Sequence, residues 1–213
     1  LTLIEAAERG TGKSLLARVL TSISIAMLPE AVTLPTDPEE IRKKITSILR
    51  AEKRIIFFDN LDAKVDSADL AAVLTSTTWE DRLLSTNTLL SVPNLSTWLA
   101  TGNNAEVSTD IARRSVLVRL DRGMERPWEW TGAKIGDLDV WTLEHRGEIL
   151  HALLTLIQSW AAAGAPRSTR TLGSFEGWSR TLGGVLEHAR FPDFLGNLPT
   201  LYADADTTQI EWR

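Results

Sequence analysis

The chain opens on an apolar run (Leu1, Leu3, Ile4) and, after a short polar stretch, passes to apolar positions at helical spacing (Leu15, Leu16, Val19, Leu20, Ile23). That change of period predicts a strand, a loop and a helix. Ala31-Val32-Thr33-Leu34 predicts a short strand closed by Pro35. Asp37-Pro38-Glu39-Glu40 supplies an N-cap, a proline at the first helical position and acid in the first turn, and opens a helix carrying Ile41, Ile45, Ile48 and Leu49. From Arg54 to Asn60 four consecutive large apolar residues run up to Asp59, the pattern of a buried parallel strand that delivers a carboxylate at its C-terminal edge. Residues 67–76 read as a helix and 82–92 as a hairpin. Thr97–Asn103 and Ser115–Leu120 read as strands, with a short helix from Glu106 to Ala112 between them. Strands alternating with helices predict an α/β domain over residues 1–125, with a mostly parallel five-stranded sheet flanked by helices.

Pro127, Trp128, Trp130, Gly132 and Gly136 mark a boundary. Beyond it, Leu150, Leu153, Leu154, Ile157 and Trp160 recur at helical spacing until Gly164 and Pro166, and a second helix carries Phe175, Trp178, Leu182, Val185 and Leu186. Residues 126–213 are therefore expected to form a small, mainly helical module, winged-helix-like in one version, with its helical tryptophans in the core. Asp206-Thr207-Thr208-Gln209 reads as a capping box opening a helix about one turn before Arg213. A strand and loop placed so close to Leu1, and a helix begun so close to the other end, lead us to expect a fragment of a longer polypeptide.

At 213 residues the chain is long enough to bury a sizeable core. It has no apolar stretch near the roughly 20 residues that cross a bilayer and no signal-peptide pattern, so a soluble, cytoplasmic protein with no membrane partner is expected. The absence of cysteine excludes disulfides and thiolate metal sites, and His145, His151 and His188 are too scattered for a zinc motif. A net charge of −5 argues against general coating of nucleic acid but leaves room for a local basic surface, since arginines are grouped. The groups are Arg113 and Arg114; Arg119, Arg122 and Arg126; and Arg167, Arg170, Arg180 and Arg190.

The loop between the first strand and helix, Ala7-Glu8-Arg9-Gly10-Thr11-Gly12-Lys13-Ser14, has the residue types of a phosphate cradle. Backbone N–H groups of Arg9, Gly10, Thr11, Gly12, Lys13, Ser14 and Leu15 can surround phosphate oxygens at a positive helix end. Lys13 then reaches the β- and γ-phosphates and the Ser14 hydroxyl holds Mg²⁺. The pattern's usual first glycine is Ala7 here, which fits only with negative φ. Asp59, at the same sheet edge, is expected to hold Mg²⁺ directly or through water, opposite Ser14.

With these residues in this order, the chain resembles the AAA+ ATPases, in particular the superfamily-three helicases and the primase-associated ATPases of phages, viruses and mobile elements. The resemblance rests on Gly10-Thr11-Gly12-Lys13-Ser14 (Walker A), Ile55 to Asn60 (Walker B), Ala100-Thr101-Gly102-Asn103-Asn104 (sensor 1) and Asp110 to Arg114 (arginine-finger region). It spans the first domain. Leu172 to Ser179 also looks like the C-terminal part of such mobile-element proteins.

The resemblance implies a catalytic set of Lys13, Asp59, Asn60, Asn103, Arg114 and Arg113, with ATP and Mg²⁺ bound. Asn103 orients the γ-phosphate and attacking water, with a turn or helix N-cap as its other reading, one that Asn104 fits equally. One of Arg113 and Arg114, with Arg114 taken first, reaches a neighbouring subunit's nucleotide. Asn60 stands where many relatives carry Glu, and an amide cannot accept a proton from water; Asp62 is a substitute carboxylate. The expected function is an ATP-driven motor that acts on DNA as a homo-oligomeric ring, with a fused or associated primase. A hairpin between Asp81 and Pro93 lies where helicase relatives contact DNA, although Arg82 is its one cation. The alternative is a nucleotide-dependent switch or loader with weak hydrolysis. A small-molecule kinase has no natural place for Asn103 followed by Arg113-Arg114.

Overall fold

The computed structural model describes residues 1–82 and 88–210, with the backbone alone for 207–210. The strands are β1 (Thr2–Ala6), β2 (Ala31–Val32), β3 (Ile55–Leu61), β4 (Thr78–Arg82), β5 (Leu89–Pro93), β6 (Thr97–Asn103) and β7 (Val116–Arg119). The helices are α1 (Lys13–Ile25), α2 (Pro38–Arg50), α3 (Ala68–Thr75), α4 (Thr109–Ala112), α5 (Leu138–Glu144), α6 (Arg146–Ala162), α7 (Glu176–His188) and α8 (Leu198–Ile210).

Five strands form one parallel sheet in the order β2-β3-β6-β1-β7. Side chains alternate across it, because successive residues of a strand point to opposite faces. Ile4, Phe57 and Leu99 pack with Ala17 of α1 on one face. Leu3, Ile56, Phe58, Trp98, Ala100 and Leu117 share a second cluster with α2, α3, α4 and α8. Leu172, Leu195, Leu198, Leu201 and Ala205 belong to that second cluster, so apolar residues from beyond position 126 share the core of the sheet.

The cap predicted for α2 is present, and α3 has one as well. The Asp37 carboxylate accepts from Glu40 N–H at 3.0 Å, with Pro38 first in α2, and Ser67 accepts from Leu70 N–H at 3.2 Å at the start of α3. α4 is shorter than expected because Val107 leaves it to bridge Val65. Beyond Lys13 at its start, the buried positions of α1 are Ala17, Thr21 and Ser22 rather than its leucines, since small side chains let the helix approach the sheet closely. The expected hairpin is present as antiparallel β4 and β5, and its tip at 83–87 lies outside the described residues. Its root is fixed to α2: Arg42 binds Asp81 (3.0 Å) and Asp69 (2.7 Å), and Trp79 Nε1 donates to Thr46 (2.9 Å).

Two expectations are corrected. Asp206 does not cap a helix start; it lies inside α8, which begins at Leu198 and packs on α4 and the core, so tertiary contact overrides the local capping signal. The helical tryptophans are not core: Trp178 is 49% exposed, and α6 has no buried residue, with Leu153, Leu154, Leu156 and Ile157 all exposed. Although α6 contacts α1, α5 and α7, these contacts leave its apolar residues largely open among the described residues. Among the described residues, no helix is long and apolar enough to cross a membrane.

Candidate functional site

β1, β3 and β6 end at one edge of the sheet, with Ala6 level with Asn103 and Leu61 with Gly102. The loop after β1 turns there into α1. Its two left-handed positions are Gly10 (φ 72°) and Gly12 (φ 98°), where a side chain is strained, whereas Ala7 keeps an ordinary negative φ and the missing first glycine costs nothing. Leu16 N–H is taken by Gly12 O at 2.9 Å, which leaves the N–H groups of Lys13, Ser14 and Leu15 without a partner inside the helix. No acidic residue in the first turn offsets the positive end of α1.

Lys13 is 8% exposed, and its ammonium donates to Asn103 Oδ1 (2.6 Å), to the Glu8 carbonyl (3.2 Å) and to Thr11 Oγ1 (3.4 Å). Burial pulls its pKa below the usual lysine value; Asp59 opposes that shift and the neighbouring Arg9 adds to it. Ser14 Oγ donates to Asp59 Oδ1 at 2.7 Å. Thr101 donates to the same oxygen at 2.7 Å and accepts from Asn60 N–H at 2.9 Å.

A cavity of about 450 Å³ opens over this cluster, within the range of small-ligand sites. Arg9, Gly10, Gly12, Lys13, Ser14 and Leu15 line it from the loop and α1, and Asn60, Thr101 and Asn103 from the other two strands. Thr11 is buried and bonded to the Glu8 carbonyl at 3.3 Å. For a cation, Ser14 and Asp59 present a hydroxyl and one carboxylate, hard oxygen donors that suit Mg²⁺ shared with phosphate oxygens and water. Among the described residues there is no group of three or more His, Cys, Asp or Glu able to cage a metal by itself.

Asn103 is not a helix cap: α4 starts after Ser108, and Asn104 takes the turn with φ 45° and its N–H on the Ala6 carbonyl at 3.2 Å. Asn60 follows Asp59 at a bulge in β3, exposed and left-handed at φ 57°. Asn tolerates that conformation better than most residues, so Asn60→Glu is expected to cost about 1 kcal/mol of stability. A denaturant midpoint equal to wild type would contradict this. Asp59 and Asp62 both line an adjoining cavity of about 180 Å³, and Asn60 borders both cavities.

Arg113 and Arg114 do not join the cluster. They precede β7 at the opposite edge of the sheet, where Leu1 accepts from Val116 N–H, so roughly 15–20 Å of strand separates them from the Gly-rich loop of the same chain. Arg113 is exposed, while Arg114 is half-buried and holds Asp110 through its Nη1. Other grouped arginines are engaged internally: Arg119 with Glu5 and Asp204, Arg122 over Trp130, Arg126 with Glu129 and Arg170 with Asp193.

Sequence reasoning gave no role to Thr101, which is 1% exposed and fixes Asp59. The signal for it is a threonine inside an apolar strand, two positions before Asn103 and so on the same face. It also missed Arg18, which lines the cavity and is held by both carboxylate oxygens of Asp139 (2.9 and 3.2 Å).

No protein-family model matches the chain, and no curated protein does. Among solved structures, it is similar to the A-form apo structure of the NrS-1 C-terminal region, with 18% identity over 68% of this chain and 34% of that one, and a TM-score of 0.44. A second structure of that region, spanning its residues 305–718, gives 16% identity over 68% and 33% of the two chains and a TM-score of 0.43. The chain spans about a third of the length of these two structures.

Proposed function

We propose that the chain binds and hydrolyses ATP, as the motor domain of a replication helicase or primase-associated protein of a phage or mobile element that acts on DNA as an oligomer. The observation that carries the reading is the meeting of three distant segments at one cavity. Lys13 contacts Asn103 at 2.6 Å and Ser14 contacts Asp59 at 2.7 Å, the pairs a phosphate-binding centre needs.

In this reading the γ-phosphate enters the loop and meets the free N–H groups at the start of α1. The Lys13 ammonium exchanges the Asn103 carbonyl for phosphate oxygens, a favourable trade for a charge that burial already destabilises. Asn103, released, orients the attacking water. Thr101 keeps Asp59 turned toward Ser14, and these two residues would hold Mg²⁺, which when bound neutralises phosphate charge. Asn60 positions water without taking its proton. Phosphoryl transfer depends chiefly on positioning and charge, so such a site can turn over. In this reading Arg113 and Arg114, remote from their own loop, serve a neighbouring copy.

A second reading, a nucleotide-dependent switch or loader, is favoured by Asn60 in place of a carboxylate and by a hairpin with Arg82 as its one cation. Steady-state ATPase measured with and without single-stranded DNA separates the two. Stimulation by DNA supports the motor, tight ATP binding without turnover supports the switch, and neither binding nor turnover removes both.

A further inference from the structure

Trp128 lies beside the proposed phosphate site and has no role in it. It sits in a 3-10 turn, Pro127–Glu129, whose proline is buried while the tryptophan is 59% exposed. A methyl group on Gly10 would come within 2.8 Å of Trp128 Cβ and 3.0 Å of its backbone, so the two residues are in direct contact. Gly10 lines the 450 Å³ cavity. A large, flat, exposed side chain is therefore carried by a residue in contact with the cavity wall at Gly10.

The segment that carries it is fixed in place. Trp130 N–H closes the turn on the Pro127 carbonyl at 3.2 Å. Further along, Asp139 grips Arg18, so the stretch from 127 to 139 touches the cavity wall at two residues, Gly10 and Arg18. Trp130 differs from its neighbour: the Arg122 guanidinium covers its ring at 4.2 Å, and Gly132 lies against its edge.

We infer that the Trp128 indole is the stacking platform for the base of a purine nucleotide whose phosphates occupy the Gly-rich loop, an inference that rests on the nucleotide reading above. A nucleotide held by its phosphates next to Gly10 carries its base one ribose away, over the rim. An indole there offers a π-face that would otherwise stay in water. Stacking reads the face of a base and not its hydrogen-bonding edge, so Trp128 serves ATP and GTP alike.

The test is calorimetric titration of the chain with Mg-ATP, Mg-GTP and inorganic tripolyphosphate, which has the phosphates and no base. Trp128→Ala should weaken ATP and GTP on the order of ten- to a hundredfold and leave tripolyphosphate unchanged. Trp128→Phe should keep most of the nucleotide affinity, and Trp130→Ala should leave the ratio of ATP to tripolyphosphate affinity as in wild type. Unchanged ATP binding by Trp128→Ala overturns the inference, as does equal loss of ATP and tripolyphosphate, which would make Trp128 only a prop for Gly10. A wild-type protein that binds ATP no more tightly than tripolyphosphate overturns the platform and leaves the phosphate site standing. Binding of neither overturns both.

Discussion

Lys13→Ala is expected to lower ATP turnover on the order of 10²–10³-fold or more while leaving the protein folded, the scale found when one preorganised charge-stabilising donor is removed from a phosphoryl or acyl centre. The side chain meets Asn103, Thr11 and a carbonyl of its own loop, and none of the apolar clusters includes it. Removing it forfeits hydrogen bonds of modest net value and relieves a desolvated charge, so the stability change should stay within about 1 kcal/mol. Circular dichroism and a denaturant midpoint check the fold, and single-turnover kinetics check the chemistry. Turnover equal to wild type would mean that the cluster around Lys13 is not the catalytic centre.

The second large effect concerns assembly. Because Arg113 and Arg114 lie at the sheet edge away from their own loop, an arginine from this pair can complete only a neighbour's site. Specific activity should therefore climb with protein concentration. Arg114→Ala and Lys13→Ala should each be inactive alone, and their mixture should recover turnover, because one supplies an intact loop and the other the arginine. An arginine supplied in trans is worth on the order of 10³–10⁵ in rate in related systems, so even partial recovery stands above background. Arg114 spends its Nη1 on Asp110, whereas Arg113 is exposed. If the two proteins co-assemble and the mixture stays inactive, Arg114 is not the acting residue, and the same mixture built on Arg113→Ala decides for its neighbour.

The strands and the cluster edge were legible because they depend on short-range signals. Four apolar residues before Asp59 have the pattern of a strand buried on both faces, and the Gly10-Thr11-Gly12 turn before a helical pattern marks the loop. Sheet order then brought Ser14 and Asp59 together through β6, which carries Thr101 and Asn103 between them. What stayed hidden was partnership at long range. The contact of Trp128 with Gly10 joins residues far apart in the chain, and no local pattern distinguishes it from a linker tryptophan. The leucines of α6 have the spacing of a core face, yet Leu154 is 58% exposed, since periodicity tells which side of a helix is apolar and not what covers it. Asp206 shows the same limit from the other side: a sound capping motif is overridden when the preceding residues, Leu198 and Leu201, are drawn into the core as helix.

Thermal unfolding of the wild-type chain at rising Mg-ATP decides whether the Gly-rich loop and its partners from β3 and β6 hold ATP with Mg²⁺. A ligand that binds only the folded state stabilises it by about 2.7 kcal/mol at a hundred times its dissociation constant. The midpoint should keep rising with Mg-ATP concentration in wild type and stay flat in Lys13→Ala; a wild-type midpoint that does not move with Mg-ATP would mean that the loop and its partners do not hold the nucleotide.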